Sequence, residues 1–405
     1  MTNERKILFL CGTGHFYAHF YMLLFPSLAL WIHKDFGMSL PDTLNLGFGM
    51  YLLLGLAALP MGALGDRTSA HKMLVLMHIG VGLSALVCSA SAGPGMLLVG
   101  LGAIGFFASI YHPVGIGLIS KCCRNRGRAL GHNGVFGNLG VGAAPFLAGA
   151  TAYLVGWRFS FGFFGVLMLL VGVAMMRARI DERPLNPEDA GNNGQASGAS
   201  NVRYFVLMLC CMMLLGFVYR GTIVSLPAYF QNNIRVFEAL FNLQPGVQIS
   251  GSQSFGATLL VSGVYLFGIF GQMVGGRLAD KVDLRMAYLA FHTISLPFMF
   301  LMARLTGLPL FAVSMIYLFF ALGMQPIENS LVARLTPNRL RSLAYGLKFV
   351  LVLGIGSFSV KLVKWMMTHR DPSVIYTVQS GMILGAIALI VLIYALSRRQ
   401  SFRNT

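Results

Sequence analysis

Charged residues are scarce in this chain of 405 residues, and acidic residues are the scarcest. Asp, Glu, Lys and Arg together make 11% of the sequence, while hydrophobic residues make 56%. Soluble domains carry about 25% charged residues, so the composition excludes a water-soluble globular protein. The sequence also lacks a G-x-x-x-x-G-K-[ST] phosphate-binding loop. A pump that carries its own ATPase is therefore excluded as well.

Apolar runs of about 20 residues, the length that crosses a bilayer, fill most of the chain. We predict an all-α, polytopic membrane protein with twelve transmembrane helices. The spans are expected near 7–32, 43–64, 73–92, 95–120, 129–155, 158–178, 203–230, 256–279, 285–304, 308–335, 341–367 and 373–396. Residues 181–202, rich in Gly, Ser and Asn, separate the sixth and seventh spans and are predicted to be a flexible linker.

The two halves of the chain repeat one another. The residues that recur at a constant spacing of 213 are Pro113, Asn125, Arg126 and Arg128, which return as Pro326, Asn338, Arg339 and Arg341. The segment 62–67 also returns as 276–281, 214 residues later. We therefore predict two pseudo-symmetric six-helix bundles, residues 1–180 and 203–405, related by an axis along the membrane normal.

The Lys and Arg residues lie mainly in loops on one side of the predicted bundle. Basic loops stay in the cytoplasm during membrane insertion, so both termini and the linker are expected there. The predicted location is the inner (plasma) membrane. Since topology explains the net charge of +17, no nucleic-acid partner is expected.

Six cysteines lie in or beside apolar runs, without the spacing of a metal site. They are interpreted as unpaired thiols in a reducing compartment. We expect neither a metal ion nor a cofactor. The expected partners are a small-molecule substrate, protons and the lipid bilayer, and the protein is expected to be a monomer. No Ser/His/Asp set or carboxylate pair shares one depth, so an intramembrane enzyme is not expected.

Two six-span halves, each with a G-x-x-x-D-[RK] hairpin after its second span, resemble the major facilitator superfamily. The residues that match its signature loop are Gly62, Asp66, Arg67 and Lys72, with Ser69 and Ala70 where the family has Gly and a basic residue. Residues 140–149 are similar to the family's antiporter motif, with alanine in place of two glycines. Residues 112–131, with His-Pro and then R-G-R-A-L-G, are similar to the fosmidomycin-resistance branch of drug exporters. The resemblance implies secondary transport, with the first, fourth, seventh and tenth spans lining a central cavity.

The basic hairpins are predicted to form a cytoplasmic gate. Its members are Asp66, Arg67, Arg126, Arg128, Asp280, Lys281, Arg339 and Arg341. Charge pairs at these helix ends would hold the two halves together on the inner side. The alternative is that these residues only fix the turn of each hairpin.

A single acidic residue among thirteen lies well inside an apolar run. A charge at mid-membrane costs several kcal/mol, and a buried carboxyl can change protonation near neutral pH. We therefore predict Glu328 as a proton-coupling residue, together with His19 and His112. The alternative for Glu328 is a structural ion pair with Lys348, and a carrier that breaks and re-forms this pair would use both roles.

Polar residues concentrate on the four spans that are implied to line the cavity. His15 and His19, four residues apart, share one helix face. The predicted substrate-binding residues are His15, Tyr17, His19, Tyr21, Tyr111, His112, Arg220, Gln325, Glu328 and Lys348. A histidine taken singly is more often a packing residue, and that alternative stays open for each.

The excess of cations in this set predicts a small anionic or zwitterionic organic substrate, which Arg220 would bind in bidentate fashion. The expected function is proton-coupled export (antiport) by alternating access. One alternative is a proton-symport importer of a carboxylate, a peptide-like molecule or a siderophore. Another is a membrane sensor that has the same fold without transport.

Overall fold

The computed structural model of the protein describes residues 2–183, 200–235, 251–279, 281–336 and 341–401. Helices account for most of these residues, and the described ranges contain no strand. The helices follow the predicted spans, so we number them α1 to α12 by span, including spans that consist of several helical pieces.

The first six spans precede the predicted linker. They are α1 (Asn3–Asp35), α2 (Leu40–Asn45, Phe48–Leu56 and Ala58–Arg67), α3 (Ala70–Ser89), α4 (Pro94–Ala108 and Tyr111–Cys122), α5 (Arg126–Leu154) and α6 (Trp157–Met176). Among the described residues of both halves, eleven helices are long and apolar enough to cross a membrane. The bent span α2, in which Leu40–Leu56 and Ala58–Arg67 meet at 41°, makes a twelfth. The prediction of twelve transmembrane helices is confirmed.

The second six spans follow the linker. They are α7 (Ser200–Asn233), α8 (Ser252–Ala279), α9 (Leu284–Met302), α10 (Gly307–Leu335), α11 (Arg341–Phe349, Val350–Gly354, Ile355–Phe358 and Ser359–His369) and α12 (Val374–Ser401). In α11 the piece Val350–Gly354 is a π-helix and Ile355–Phe358 is a 3₁₀-helix. Such irregular turns are common at functional sites and hinges.

Packing inside the two bundles follows the repeat. In the first bundle α1 packs on α5, α2 on α4 and α3 on α6, and in the second α7 packs on α11, α8 on α10 and α9 on α12. These are the same three pairs, shifted by six spans. The two pseudo-symmetric six-helix bundles are therefore confirmed as the architecture.

The bundles meet along two interfaces that are also related by the repeat, α5 with α8 and α2 with α11. Small residues allow these helices to approach closely. The amide N–H of Phe146 on α5 donates to the hydroxyl of Ser262 on α8 at 2.7 Å. A Cβ added at Gly55 on α2 would overlap the backbone of Gly354, where α11 is irregular.

We call the end that carries Asn3 and Arg67 the basic face, and the other end the opposite face. On the opposite face, Asp42 of α2 pairs with Lys364 of α11 at 2.7 Å, which joins the two bundles. On the basic face, Glu182 accepts hydrogen bonds from the amides of Ala70 and His71 at 2.9 and 3.1 Å. The described start of the predicted linker is thus anchored to the N-terminus of α3, while residues 184–199 lie outside the described residues.

The α8–α10 contact provides a test of the packing. A Cβ at Gly275 would overlap the carbonyl of Gly323 on α10, whereas the neighbouring Gly276 has open space around its Cβ position. We expect Gly275→Ala to destabilise the protein by about 1–3 kcal/mol, because overpacking forces the helices apart. The measurement is thermal unfolding of the purified protein in detergent.

Gly276→Ala is the matched control on the same helix. It is expected to be neutral or slightly stabilising, since alanine favours the helix by about 1 kcal/mol over glycine. Equal losses in both variants would contradict the close α8–α10 packing.

Candidate functional site

Three groups of ionisable side chains lie where the bundles meet. The first is a histidine cluster on α1 and α4, the second is Arg220 on α7, and the third is the Glu328–Lys348 pair of α10 and α11. All three occur on or beside the spans that the sequence assigned to the cavity.

The histidine cluster consists of His15, His19 and His112. Its ring centroids are 4.8 Å apart for His15–His19, 5.6 Å for His15–His112 and 5.3 Å for His19–His112. The four-residue spacing puts the first two on one face of α1. His112 joins them because α4 is interrupted at 109–110, just before Pro113, whose ring disfavours a continuous helix.

Asn133 of α5 holds one member of this cluster, His15, and one neighbour, Tyr111, in place. The Nδ1 of His15 donates to the main-chain carbonyl of Asn133 at 2.8 Å, because a carbonyl only accepts. The hydroxyl of Tyr111 donates to Oδ1 of Asn133 at 2.7 Å, and the Tyr111 ring stacks on His15 with centroids 4.8 Å apart. Gly137, one turn further along α5, leaves the space that the His15 ring occupies.

Arg220 is fully buried, with 0% of its surface exposed. Its guanidinium carbon lies 4.1 Å from the ring centroid of Tyr51 on α2, across the bundle interface. Among the described residues, none of its three guanidinium nitrogens has an acceptor in good hydrogen-bond geometry, and the phenol groups of Tyr51, Tyr219 and Tyr265 lie within electrostatic reach. Buried polar groups are nearly always paired, and a buried charge without a partner is costly. The guanidinium of Arg220 therefore has donors that no described residue uses.

The Glu328–Lys348 pair is complete. Oε1 of Glu328 lies 2.7 Å from Nζ of Lys348, and Oε2 accepts from the Tyr288 hydroxyl at 2.7 Å. Lys348 also donates to Oδ1 of Asn329 at 2.6 Å. The side chains are 5% and 9% exposed. The ion pair with Lys348, which was the alternative role expected for Glu328, is thus formed. A further role of Glu328 in proton coupling stays a prediction.

The three groups are close enough to influence one another. The ring of His112 stacks on Phe349, the residue after Lys348, with centroids 4.9 Å apart. His112 lies within electrostatic reach of Lys348, and His19 within reach of Arg220. The ion pair, the histidine cluster and the buried guanidinium are therefore neighbours, and we call them together the polar zone.

Two predicted substrate-binding residues lie apart from this zone. Tyr17 contacts His78 of α3 at 6.3 Å between ring centroids, and Tyr21 lies within electrostatic reach of Cys88. Both tyrosines thus point into the first bundle. Their role in substrate binding stays a prediction.

Gln325 belongs to a polar chain between the bundles. Its Oε1 accepts from Gln272 of α8 at 3.3 Å, and Gln272 in turn accepts from Asn138 of α5. Gln272 and Asn138 were not predicted from the sequence because they are neutral, and the prediction was based mainly on ionisable residues. An amide inside an apolar run is the signal that would have found them.

The predicted cytoplasmic gate is only partly within the described residues. Asp66 pairs with Lys121 of α4 at 3.2 Å, inside the first bundle, with side chains 74% and 56% exposed. A pair this exposed contributes about 0–1 kcal/mol. Arg67, Arg128 and Lys281 are also exposed. Positions that lie outside the description are Asp280 and Arg339, together with the side chains of Arg126 and Arg341. A latch between the two halves therefore stays a prediction.

Comparison with known proteins identifies the family. A family model described as the Major Facilitator Superfamily matches residues 9–359. The chain belongs to the Major Facilitator Superfamily. Members of this superfamily are transporters, so the chain is a membrane transporter and not an enzyme.

Known proteins of this superfamily are similar to the chain to different extents. A bacterial homolog of the human lysosomal transporter Spinster, in an inward-facing and occupied conformation, has a TM-score of 0.73 at 14% identity over 98% of both chains. A peptide transporter POT in complex with sulfate has a TM-score of 0.74 at 14% identity, over 97% of this chain and 94% of that one. Identities this low show the fold alone.

In sequence, the chain is 30% identical over 152 residues to a probable actinorhodin transporter of Streptomyces coelicolor. The match covers 36% of this chain and 25% of that protein.

The difference between the paired Lys348 and the unpaired Arg220, as seen among the described residues, can be tested by measuring the stability of variants. Lys348→Met leaves the Glu328 carboxylate buried without its cation, which is expected to cost about 3–5 kcal/mol. Arg220→Met removes a buried cation that has no hydrogen-bond acceptor among the described residues. That variant is expected to unfold at or above the temperature of the unchanged protein.

Thermal unfolding in detergent measures both variants. An Arg220→Met variant that is as unstable as Lys348→Met would show that the guanidinium is held by a strong partner. That result would remove the reason to regard Arg220 as available to a ligand.

Proposed function

We propose that this protein exports a small anionic or zwitterionic organic molecule across the inner membrane, in exchange for protons, by alternating access. The observation that carries the proposal is the buried Arg220, whose guanidinium nitrogens have no acceptor among the described residues. In this view the substrate supplies the missing acceptor.

The charges around the zone favour an anion over a cation. Arg220 stays protonated in proteins, and Lys348 is balanced by Glu328. One positive charge therefore remains when the histidines are neutral. A carboxylate or phosphonate would offer two oxygens to the guanidinium fork, with His15, His19 and His112 beside it. A lipophilic cation would meet a site with a net positive charge.

Glu328 is proposed as the coupling residue because protonation would break its ion pair with Lys348. The neutral acid would keep its hydrogen bond with Tyr288, and Lys348 would become free to attract an anion. Binding of a proton and binding of the substrate would then change the charge of one shared zone. The predicted coupling roles of His19 and His112 are not needed for this step and stay predictions.

Alternating access would be a rocking of residues 1–180 against 203–405 about the two bundle interfaces. The pair Asp42–Lys364 joins the bundles on the opposite face and is proposed to close the outer side. The basic face, with both termini, would be cytoplasmic by the distribution of Lys and Arg. The predicted gate at Asp66 and its repeat would close that side, and the protein is proposed to act as a monomer.

Two relatives are compatible with an organic anion. A peptide transporter of the same fold was solved in complex with sulfate, and the partial relative from Streptomyces coelicolor is a probable actinorhodin transporter. Neither comparison assigns a substrate to this chain. They support a search among small organic molecules that carry a carboxylate or a similar acid group.

Binding of anions can be detected without knowing the substrate, because a ligand that binds only the folded protein raises its stability. We expect carboxylates or phosphonates from a screened panel to raise the unfolding temperature, and tetraphenylphosphonium to leave it unchanged. Arg220→Lys keeps the charge but loses the fork and should weaken binding about 10-fold. Arg220→Gln should weaken it about 100-fold.

A panel in which only lipophilic cations stabilise the protein would contradict an anionic substrate. Anions that stabilise Arg220→Gln as well as the unchanged protein would show that the site lies elsewhere.

Proton coupling can be tested with the same ligand in reconstituted vesicles. Transport by the unchanged protein is expected to depend steeply on pH, and Glu328→Gln to give a flat profile because the amide cannot take up a proton. Asp371→Asn, on the loop before α12, is the control and should keep the profile. A flat profile in the unchanged protein would rule out coupling through Glu328.

The direction is tested in inside-out vesicles with an acidic interior. Accumulation of the ligand supports export by exchange. Accumulation only in right-side-out vesicles with an acidic exterior would instead support the proton-symport importer, and binding without flux in either orientation would support the sensor.

A further inference from the structure

The three imidazoles of the histidine cluster meet in one place, at a depth where isolated polar groups are rare. The ligand nitrogens of His15, His19 and His112 all lie within 4.8 Å of one another. We propose that this cluster binds a divalent transition-metal ion of the zinc class, with the three histidines as ligands and the fourth coordination position open.

The distances are compatible with such an ion after a small closure. Nitrogens that bind a tetrahedral zinc at about 2.0–2.1 Å lie about 3.4 Å from each other. Since the ligand nitrogens lie within 4.8 Å of one another, the side chains of the cluster need to converge by up to about 1.4 Å. His15 and His19 are partly exposed, so these two rings are not fully enclosed by packing.

The hydrogen bonds around the cluster leave ligand positions available. Nδ1 of His15 donates to the carbonyl of Asn133, so the neutral ring has its lone pair on Nε2. A histidine that binds a metal ion almost always donates its other N–H to such an outer partner. Nδ1 of His19 is buried and has no partner among the described residues. One imidazole is thus already oriented as a ligand, and a second has a nitrogen without a hydrogen-bond partner in the part of the chain that the structure describes.

The chemistry of the donors restricts the ion. Imidazole nitrogens suit zinc, copper, nickel and iron, whereas magnesium and calcium prefer oxygen ligands. Three protein ligands with an open position are typical of a site that exchanges its fourth ligand, while structural zinc sites have four. The absence of a metal was expected from the cysteines, whose spacing is not that of a metal site, and the histidine cluster is a separate set of donors.

Arg220 lies within electrostatic reach of His19, so a bound cation would be repelled unless an anion lay between the two. The open position would be filled by such an anion, shared between the metal and the guanidinium. This last step rests on the proposed function, since the shared anion would be the acid group of the substrate. Metal binding itself does not depend on the direction of transport or on proton coupling.

The test is metal binding to the purified, tag-free protein in detergent, in a Cys122→Ser/Cys123→Ser background that removes two adjacent thiols. Titration calorimetry with zinc is expected to show one site per chain. X-ray absorption at the zinc edge is expected to show imidazole nitrogens at about 2.0–2.1 Å and no sulfur at about 2.3 Å. This spectrum needs no change in the histidines, so it remains informative if a histidine variant fails to fold.

The variants are His15→Ala, His19→Ala and His112→Ala, with His292→Ala as the matched control. His292 is also buried in a helix, but it lies in the second bundle against Tyr288. Loss of an outer partner already weakens metal binding about 10- to 100-fold. Loss of any one ligand of the cluster is therefore expected to weaken zinc binding more than about 10-fold, and the control is expected to bind as before.

Three results would overturn the proposal. They are no saturable zinc binding at micromolar concentration, sulfur in the coordination sphere, and unchanged affinity in the folded histidine variants. If zinc does not bind while anions still stabilise the protein through Arg220, the metal inference fails and the proposed function stands. If zinc binds as expected and no anion stabilises the protein, the metal site stands and the anionic substrate fails.

Discussion

A polar group inside a bilayer finds no water to hydrogen-bond with, and this constraint determines where the chemistry of the protein is located. Backbone groups are satisfied within the helices, which is why the chain crosses the membrane only as helices. Polar side chains have to meet one another between the helices. In this protein they meet where the two bundles join, as the histidine cluster, Arg220 and the Glu328–Lys348 pair. The site is therefore a result of the same rule that produces the fold.

The three groups differ in how well they are satisfied. Glu328 and Lys348 neutralise each other, and Tyr288 and Asn329 complete their hydrogen bonds. Arg220 has an aromatic ring over it but no acceptor among the described residues. A pair that is complete in the absence of a ligand stabilises one arrangement, whereas an incomplete group is satisfied only when a ligand arrives. This difference explains why we propose a coupling role for the pair and a role in substrate recognition for the arginine.

The fold could be predicted in detail because its signals are long and repeated. Apolar runs of about 20 residues occur along the whole chain, and the repeat returns Pro113 as Pro326. These signals identify the fold even when the end of a helix is misplaced by a few residues. The grouping of His15, His19, His112 and Arg220 also followed from the spans that carry them. The resemblance to the superfamily implied a central cavity, which composition alone does not imply, and that cavity stays a prediction.

The sequence was less informative about which way side chains point and which neutral residues matter. Tyr17 and Tyr21 share a helix with the histidines, yet a rotation about the helix axis places them against α3. Asn133, Gln272 and Tyr51 carry no charge, so an inventory of charges in the membrane overlooked them. Pairing of Asp66 with Lys121 depends on the path of a hairpin, and periodicity does not describe such a path.

Helix α11 connects parts of the protein that are otherwise far apart in depth. Lys348 and Phe349 precede its π-helical turn, and Lys364, which pairs with Asp42, follows the 3₁₀ turn. A π turn contains more residues per turn than an α turn, and a 3₁₀ turn contains fewer. If one hydrogen bond shifts between these turns, the two ends of the helix rotate relative to each other without breaking the chain of backbone bonds. Under the proposed coupling, protonation of Glu328 beside Lys348 would rotate one end of α11 relative to the other. The change would thereby reach the Asp42–Lys364 pair on the opposite face.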